Sequence, residues 1–333
     1  MRKYAILTLN SMATGLFASL IIGVILEQLG ILFHLSFFVT IGTVAKLLMG
    51  PAIGVAVAFA LKAPPLVQVA AAITGALGAG TFNFVDGVIL ARIGEPVGAF
   101  VASLLAVEVG RRIVGKTPID ILAVPALTIL VGGLAGQSIA PIIAAFMAGL
   151  GSFINEATTL HPFPMGIIVS VVMGMILTLP ISSAAVAISL GLSGLAAGAA
   201  TVGCCCQMVG FAVSSYKENG WSGLFAQGVG TSMLQIPNIV QNPRIWIPPT
   251  LTAAILGPVA TILFKMENIP VGAGMGTSGF IGQIGTITAM GTKAWPSMIV
   301  LHFLLPALLS AAFTFLLMKV KWIKQGDMKL KVG

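Results

Sequence analysis

The chain has 333 residues, enough for one large or two ordinary soluble domains, but 57% are hydrophobic, 8% are charged and the mean hydropathy is +1.06. A soluble domain carries about 25% charged residues, so nine acids and seventeen bases cannot solvate a surface of this size, and the composition defines a polytopic membrane protein. The net charge of +8 does not describe a nucleic-acid surface. Arg111, Arg112 and Lys116 lie together, and Lys319, Lys321, Lys324, Lys329 and Lys331 gather near the C-terminus, the pattern of cytoplasmic membrane anchors.

The 40 glycines and 18 prolines fall inside apolar runs, which points to close-packed and broken transmembrane helices rather than to disorder. The cysteines are adjacent, Cys204 to Cys206, and fix no redox compartment. The Met-Arg-Lys start before an apolar run resembles a signal peptide, but no cleavage site precedes the next apolar run, so residues 1 to 26 read as a retained first helix.

Segment 5 to 26 spans the hydrocarbon and stops at Glu27-Gln28. Segment 33 to 61 is longer than one crossing needs, and Lys46 and Pro51 interrupt it, predicting a kinked helix or two shorter pieces. Segments 66 to 85 and 96 to 110 follow, the second ending at Arg111-Arg112, and 119 to 136 crosses back. The stretches 139 to 153 and 165 to 180 are short apolar arms around a polar tip, Asn155 to Pro164, and predict a re-entrant hairpin; the alternative is a pair of short spans joined by an exposed loop. Segment 184 to 213 is rich in Gly, Ala and Ser. Between 221 and 236, Trp221, Leu224, Phe225, Val229, Met233 and Ile236 recur at helical spacing and predict an amphipathic interfacial helix.

A span at 245 to 264, a second irregular zone at 269 to 291 and a last span at 295 to 318 complete the pattern. The expected fold is therefore an all-α membrane protein of about eight to ten transmembrane helices with two re-entrant hairpin-like segments and both termini cytoplasmic. Its expected parts are N-terminal scaffold helices over 1 to 136, a substrate-binding part over 137 to 318 and a basic tail over 319 to 333.

An ionised carboxylate inside a bilayer costs several kcal/mol, about 3 on insertion scales, so Glu156 needs a role or water. Asn155, Glu156, Thr158 and His161 together offer an acceptor-only carboxylate, an amide, a hydroxyl and an imidazole, a set suited to a polyhydroxy solute. The bland reading is a solvated turn. In the second zone, a literal G-x-G-x-x-G at 274 to 279 fails as a dinucleotide site because it follows no strand and lacks the later acid. It reads either as unwound backbone that lines the same cavity with Thr277, Ser278 and Gln283, or as a close-packed glycine seam. Asn83 and Asp86, and the string Asn238 to Arg244, are lesser binding candidates or polar helix ends. Lys46 pairs with a carboxylate or snorkels.

Metal and nucleophile chemistry has no support: His34, His161 and His302 are scattered, consecutive cysteines point about 100° apart on a helix, and no cofactor, nucleic-acid or covalent-catalysis motif is present. The cysteines read as packing residues.

Together, the order of spans, Phe153-Ile154-Asn155-Glu156-Ala157-Thr158 at a hairpin tip, Gly272-Ala273-Gly274-Met275-Gly276-Thr277-Ser278-Gly279 and Asn242-Pro243-Arg244-Ile245-Trp246-Ile247-Pro248-Pro249 resemble the membrane (IIC) component of the bacterial phosphotransferase system (PTS), in particular the stand-alone IIC-like, PfoR-type branch. In sugar-transporting relatives a Gly-Ile-Thr-Glu type motif on a hairpin binds sugar hydroxyls. Glu156 matches its glutamate, whereas Asn155 stands in place of the threonine and no proline follows directly. The resemblance implies a sugar permease, a homodimer, elevator-like movement and phosphoryl donation from separate IIA and IIB proteins. Two other readings stay open: a membrane sensor that keeps the permease fold, and an ion-coupled carrier of a non-sugar metabolite.

Overall fold

A computed structural model describes residues 2–85 and 88–330. Asp86, one of the lesser binding candidates, lies outside the described residues. The chain divides into two compact units, Met1–Phe146 and Met147–Gly333.

The first unit opens with α1 (Lys3–Ile31), followed by α2 (Ser36–Leu47) and α3 (Met49–Ala60), which meet at a 55° bend. The bend is the interruption expected between Lys46 and Pro51: Leu48 leaves the helical region at ψ 12° and Pro51 starts afresh in the next first turn. α1 does not stop at Glu27-Gln28 as the hydropathy suggests. It continues through Glu27 because Lys46 on α2 pairs with that carboxylate, which also accepts from Thr43 Oγ1 at 3.0 Å.

Next come α4 (Pro65–Ala79), the strands β1 (Phe82–Val85) and β2 (Val88–Ala91), and α5 (Pro96–Ile113). The expected helix over 66 to 85 is thus shorter. It ends at Gly80, whose φ of +65° closes the last turn in a left-handed conformation. β1 and β2 pair antiparallel, with Phe82 opposite Ala91 and Asn83 opposite Leu90. Tyr4 in the first turn of α1 donates to Glu108 Oε1 at 2.6 Å, and the same carboxylate pairs with Arg111 and Arg112. The start of α1 and the basic end of α5 therefore share one end of this unit, as an even number of passes between them requires.

α6 (Asp120–Thr158) is one unbroken helix of 39 residues. This corrects the expected break after residue 136, since Pro141 is absorbed within the helix, as membrane helices tolerate. A three-residue link leads to α7 (Pro162–Thr178).

The expected single segment over 184 to 213 is two elements, α8 (Ser183–Ser189) and α9 (Gly194–Ser214), because Gly191 and Gly194 both adopt positive φ between them. α9 is the centre of the second unit. Ala196, Ala200, Cys204 and Met208, four residues apart, bury one face in a cluster with Ile154, Met165, Val169 and Met173. Val202 and Cys206 on another face join Ala253, Leu256, Ala260 and Leu301.

α12 (Pro243–Leu263) and α15 (Thr292–Lys319) are the two further spans the sequence predicts. With α1, α6 and α9 they make, among the described residues, five helices long and apolar enough to cross a membrane, and the bent α2–α3 pair adds a sixth. α4 and α7 are apolar but shorter. The all-α, polytopic expectation holds, with β1–β2 the one strand pair among the described residues.

The expected amphipathic helix over 221 to 236 is not one helix. α10 (Tyr216–Phe225) turns at Gly220, a wide turn follows over Ala226–Gly230, and Thr231 is extended before a short turn leads into α11 (Ile236–Gln241). Trp221 and Phe225 are exposed, but Gln227, Met233 and Gln235 are buried. The glutamines start an amide relay: Gln227 Nε2 donates to Ser215 Oγ (2.8 Å), Gln235 Nε2 to Gln227 Oε1 (2.8 Å) and Asn238 Nδ2 to Gln235 Oε1 (2.8 Å).

The relay ends on the C-terminal tail. Gln235, Asn238 and Asn219 donate to the carbonyls of Met328, Lys329 and Met328 respectively, and Glu218 accepts from the amides of Gly326 and Met328. Asn242 Nδ2 reaches Trp322 O and Asp327 Oδ2, and Arg244 stacks over Trp322 at 5.2 Å. The polar string from Asn238 to Arg244 thus holds the tail, burying Ile323 and Met328.

Replacing Gln235 by leucine strands buried partners at a cost of about 1–3 kcal/mol. Limited trypsinolysis at Lys324 and Lys329 is expected to run about tenfold faster in that variant, because cleavage follows the open population. Unchanged cleavage would show that the relay does not hold the tail.

Candidate functional site

At the hairpin, helix α6 turns its two sides to different environments. Ile154 and Ala157 are buried in the α7–α9 cluster, while Asn155 and Glu156 are exposed. Residues at i and i+3 share a face, so the intervening pair must point away. Thr158 Oγ1 donates back to Asn155 O at 2.7 Å and Thr159 Oγ1 to Glu156 O at 2.7 Å, closing the helix end. His161 stands at the entry of α7 with an exposed ring. The link is fixed from outside by Thr261 Oγ1 of α12, which donates to Pro162 O at 2.8 Å. Among the described residues no hydrogen bond or ion pair reaches the Glu156 carboxylate.

The second irregular zone is unwound in its middle, one of the two readings the sequence leaves open. α13 (Pro270–Ala273) and α14 (Ile281–Met290) flank a turn in which Gly276, Gly279 and Phe280 all have positive φ. For phenylalanine this conformation costs about 1–2 kcal/mol. The zone is pinned by Asn268, a residue the sequence reading passed over. Its Oδ1 accepts from Ile269 N at 2.7 Å, and its amide nitrogen faces Thr201 Oγ1 (2.7 Å), Gly282 O (2.9 Å) and Thr286 Oγ1 (3.1 Å).

The three predicted residues here have unlike fates. Thr277 is spent on structure: its hydroxyl donates to Gly228 O and sits 3.5 Å from Met208 Sδ. Ser278 is buried, and its hydroxyl has no partner among the described residues. Gln283 is buried with Nε2 at 3.0 Å from His302 Nδ1 and 3.7 Å from Cys205 Sγ, while its Oε1 has no partner among the described residues.

His302 is fully buried on α15, and with the amide nitrogen facing Nδ1, that atom accepts. The neutral ring's proton then sits on Nε2, which also lacks a partner among the described residues. His302 read in the sequence as one of three scattered histidines. The signal that singles it out is its pairing with Gln283.

A neighbouring polar group shows the contrast. Gln207, equally buried, accepts from Trp246 Nε1 (3.0 Å) and Thr178 Oγ1 (3.3 Å) and donates to Thr250 Oγ1 (3.1 Å). Both of its polar atoms are bonded, and its role is structural.

Cys204 faces the carbonyls of Met173 and Ala273, and all three cysteines are buried packing residues. Asn83 lies in β1, within the first unit, and no hydrogen bond among the described residues joins the hairpin-tip residues to Ser278 or Gln283.

These features define a class: a multi-pass integral membrane protein whose second unit carries broken helices and neutral polar groups deep among apolar spans. The chain matches the family described as phosphotransferase system, EIIC, over residues 6–330, and it belongs to that family. It is therefore a membrane permease component of the phosphotransferase system type. Neither the curated proteins nor the solved structures compared with it include a match.

Proposed function

We propose that this protein binds a sugar or sugar-like solute and carries it across the bacterial plasma membrane by alternating access. It would act as a homodimer with cytoplasmic termini, supplied with phosphoryl groups by separate IIA and IIB proteins. Asn155, Glu156, Thr158 and His161 hold the solute, with Ser278 and Gln283 contributing from the second irregular zone. The observation that carries this reading is the hairpin tip itself: an acceptor-only carboxylate without a partner among the described residues, on a helix whose opposite side is locked into the core. A sugar hydroxyl is the complement of such an acceptor.

Exchange of radiolabelled sugar into proteoliposomes tests it. Glu156→Gln keeps the shape and removes the charge. Since a hydrogen bond to a charged group is worth about 1.5–3 kcal/mol, exchange is expected to fall roughly tenfold to a hundredfold. Equal exchange by both proteins rejects the site.

A further inference from the structure

Past Lys319 the chain leaves the helix, and an irregular segment ordinarily gives its backbone groups to water. From Trp322 to Leu330, side chains of one surface take them instead. Asn219 of α10 reads the tail in both directions, Nδ2 donating to Met328 O (2.9 Å) and Oδ1 accepting from Leu330 N (2.8 Å). The two oxygens of Glu218 accept from Gly326 N (2.8 Å) and Met328 N (3.0 Å). Gln235 Nε2 donates to Met328 O (3.0 Å), Asn238 Nδ2 to Lys329 O (3.1 Å) and Asn242 Nδ2 to Trp322 O (3.1 Å).

Bonds to main chain, with pockets for a few side chains, are the way proteins bind peptides. Here Ile323 and Met328 are the seated side chains, 1% and 2% exposed. We propose that Glu218, Asn219, Gln235, Asn238 and Asn242 form a peptide-binding site, that residues 322 to 330 are its resident ligand, and that the site takes the same segment from a second chain when the resident leaves.

The receiving surface is organised by bonds of its own. Gln227 is held by Ser215 Oγ and Gly223 O, Gln235 by Gln227, and Asn238 by Gln235. Gln235 and Asn238 each divide one amide nitrogen between this relay and the tail, and both are buried. An empty site leaves one N–H of each in need of a carbonyl, and donors set in place beforehand lower the ordering cost of binding. The ligand is organised too. Asp327 N donates to Lys324 O (3.1 Å) and Lys324 N to Asp327 Oδ2 (2.8 Å), closing a turn in which Gly326 has a φ of +96°, where a side chain would be strained.

These contacts state the class of ligand: a peptide with a glycine, an acid and an apolar residue in succession, as in Gly326-Asp327-Met328, preceded by an apolar anchor such as Ile323. Lys324 and Lys329 are exposed, and among the described residues no ion pair reaches them. Attraction between whole charges therefore does not hold the segment.

The test uses full-length protein in detergent and a fluorescent synthetic peptide of residues 322 to 333. In wild type the tethered tail competes at an effective concentration of about 1 mM. Met328→Asp in the chain sets a charge in the apolar pocket and opens the site, so this variant is expected to bind the peptide about tenfold or more tightly than wild type does. Adding Asn219→Ala to it should abolish binding, and a peptide carrying Gly326→Val should not bind. Affinity should change less than about twofold between 0.1 and 1 M salt, because uncharged contacts are not screened.

Equal binding by wild type and Met328→Asp, or equal binding of the Gly326→Val peptide, overturns the site. Binding lost at high salt shows a charge contact with the lysines and overturns it as well. Residue-resolved hydrogen exchange on wild type tests the release independently of any variant. The amides of Gly326, Met328 and Leu330, corrected for their intrinsic rates, are expected to show one common protection, that of a segment leaving in one piece. Three separate protections overturn the resident-ligand assignment.

Discussion

Replacing Gly203 by isoleucine is expected to leave no folded protein. Between membrane helices no hydrophobic force favours contact over lipid, so association depends on how closely backbones approach. At Gly203 a Cβ would stand 2.6 Å from Ser170 Cα on α7, closer than real side chains allow. The seam is reciprocal: a Cβ on Gly174 would lie 2.7 Å from Gly203 O and 3.1 Å from Gln207 Cγ. Farther along α7, one on Gly166 would lie 2.8 Å from Gly257 C of α12.

Neither helix can back away without breaking other contacts, since Ser170 Oγ also donates to Ala253 O at 2.8 Å. Overpacking against a side chain costs about 1–3 kcal/mol, and against backbone the cost lies at or beyond the top of that range. Gly203→Ala is therefore expected to lower stability by about 3 kcal/mol, and Gly203→Ile to abolish the monodisperse size-exclusion peak. Gly149→Ile is the control, because nothing lies within 4 Å of its Cβ position. A normal peak for Gly203→Ile would refute the close approach of α7 and α9.

That seam was legible in the sequence only as composition. The small residues of 184 to 213 announce tight packing, but which glycine meets which backbone depends on a contact between segments some thirty residues apart. The spans themselves were easier, because about twenty apolar residues in a row have few alternatives in a bilayer environment. The bend at Leu48 was foreshadowed by Pro51 for an equally local reason.

The reading failed where the same spacing serves two environments. Hydrophobes at three and four residue intervals from Trp221 to Ile236 fit an interfacial helix, yet Gln227 and Gln235 turn inward because the tail, some ninety residues on, supplies carbonyls to pair with. The candidate site divides in the same way. Glu156 stands out by itself, as the one carboxylate of a polar tip flanked by apolar stretches. His302 becomes visible only when the chain reverses at Gly291 and sets its ring against Gln283.

Lys46 is the residue whose partner the sequence could not name, and it supports the second large prediction. Its ammonium pairs with Glu27, and the two side chains keep relative exposures of 13% and 18%. The approach of α1 and α2 that permits the pair depends on Gly23 and Gly42: a Cβ on Gly23 would stand 2.7 Å from Gly42 O and 2.9 Å from Lys46 Cγ, and one on Gly42 would stand 2.6 Å from Glu27 N. Thr43 completes the shell of the carboxylate at 3.0 Å.

Removing one charge leaves the other in a medium that solvates it poorly, which is worse than having neither. Lys46→Met is expected to cost about 3 kcal/mol, the low end for breaking a buried pair because some exposure remains. The double variant Glu27→Gln with Lys46→Met should recover most of that loss. The coupling should persist at 1 M salt, since screening acts mainly on exposed charges. Thermal or chemical unfolding in detergent across the four proteins of the cycle measures it. Single variants that each cost under about 0.5 kcal/mol, the range of exposed pairs, would mean that water solvates this pair, and α1 would then leave the apolar layer before Glu27.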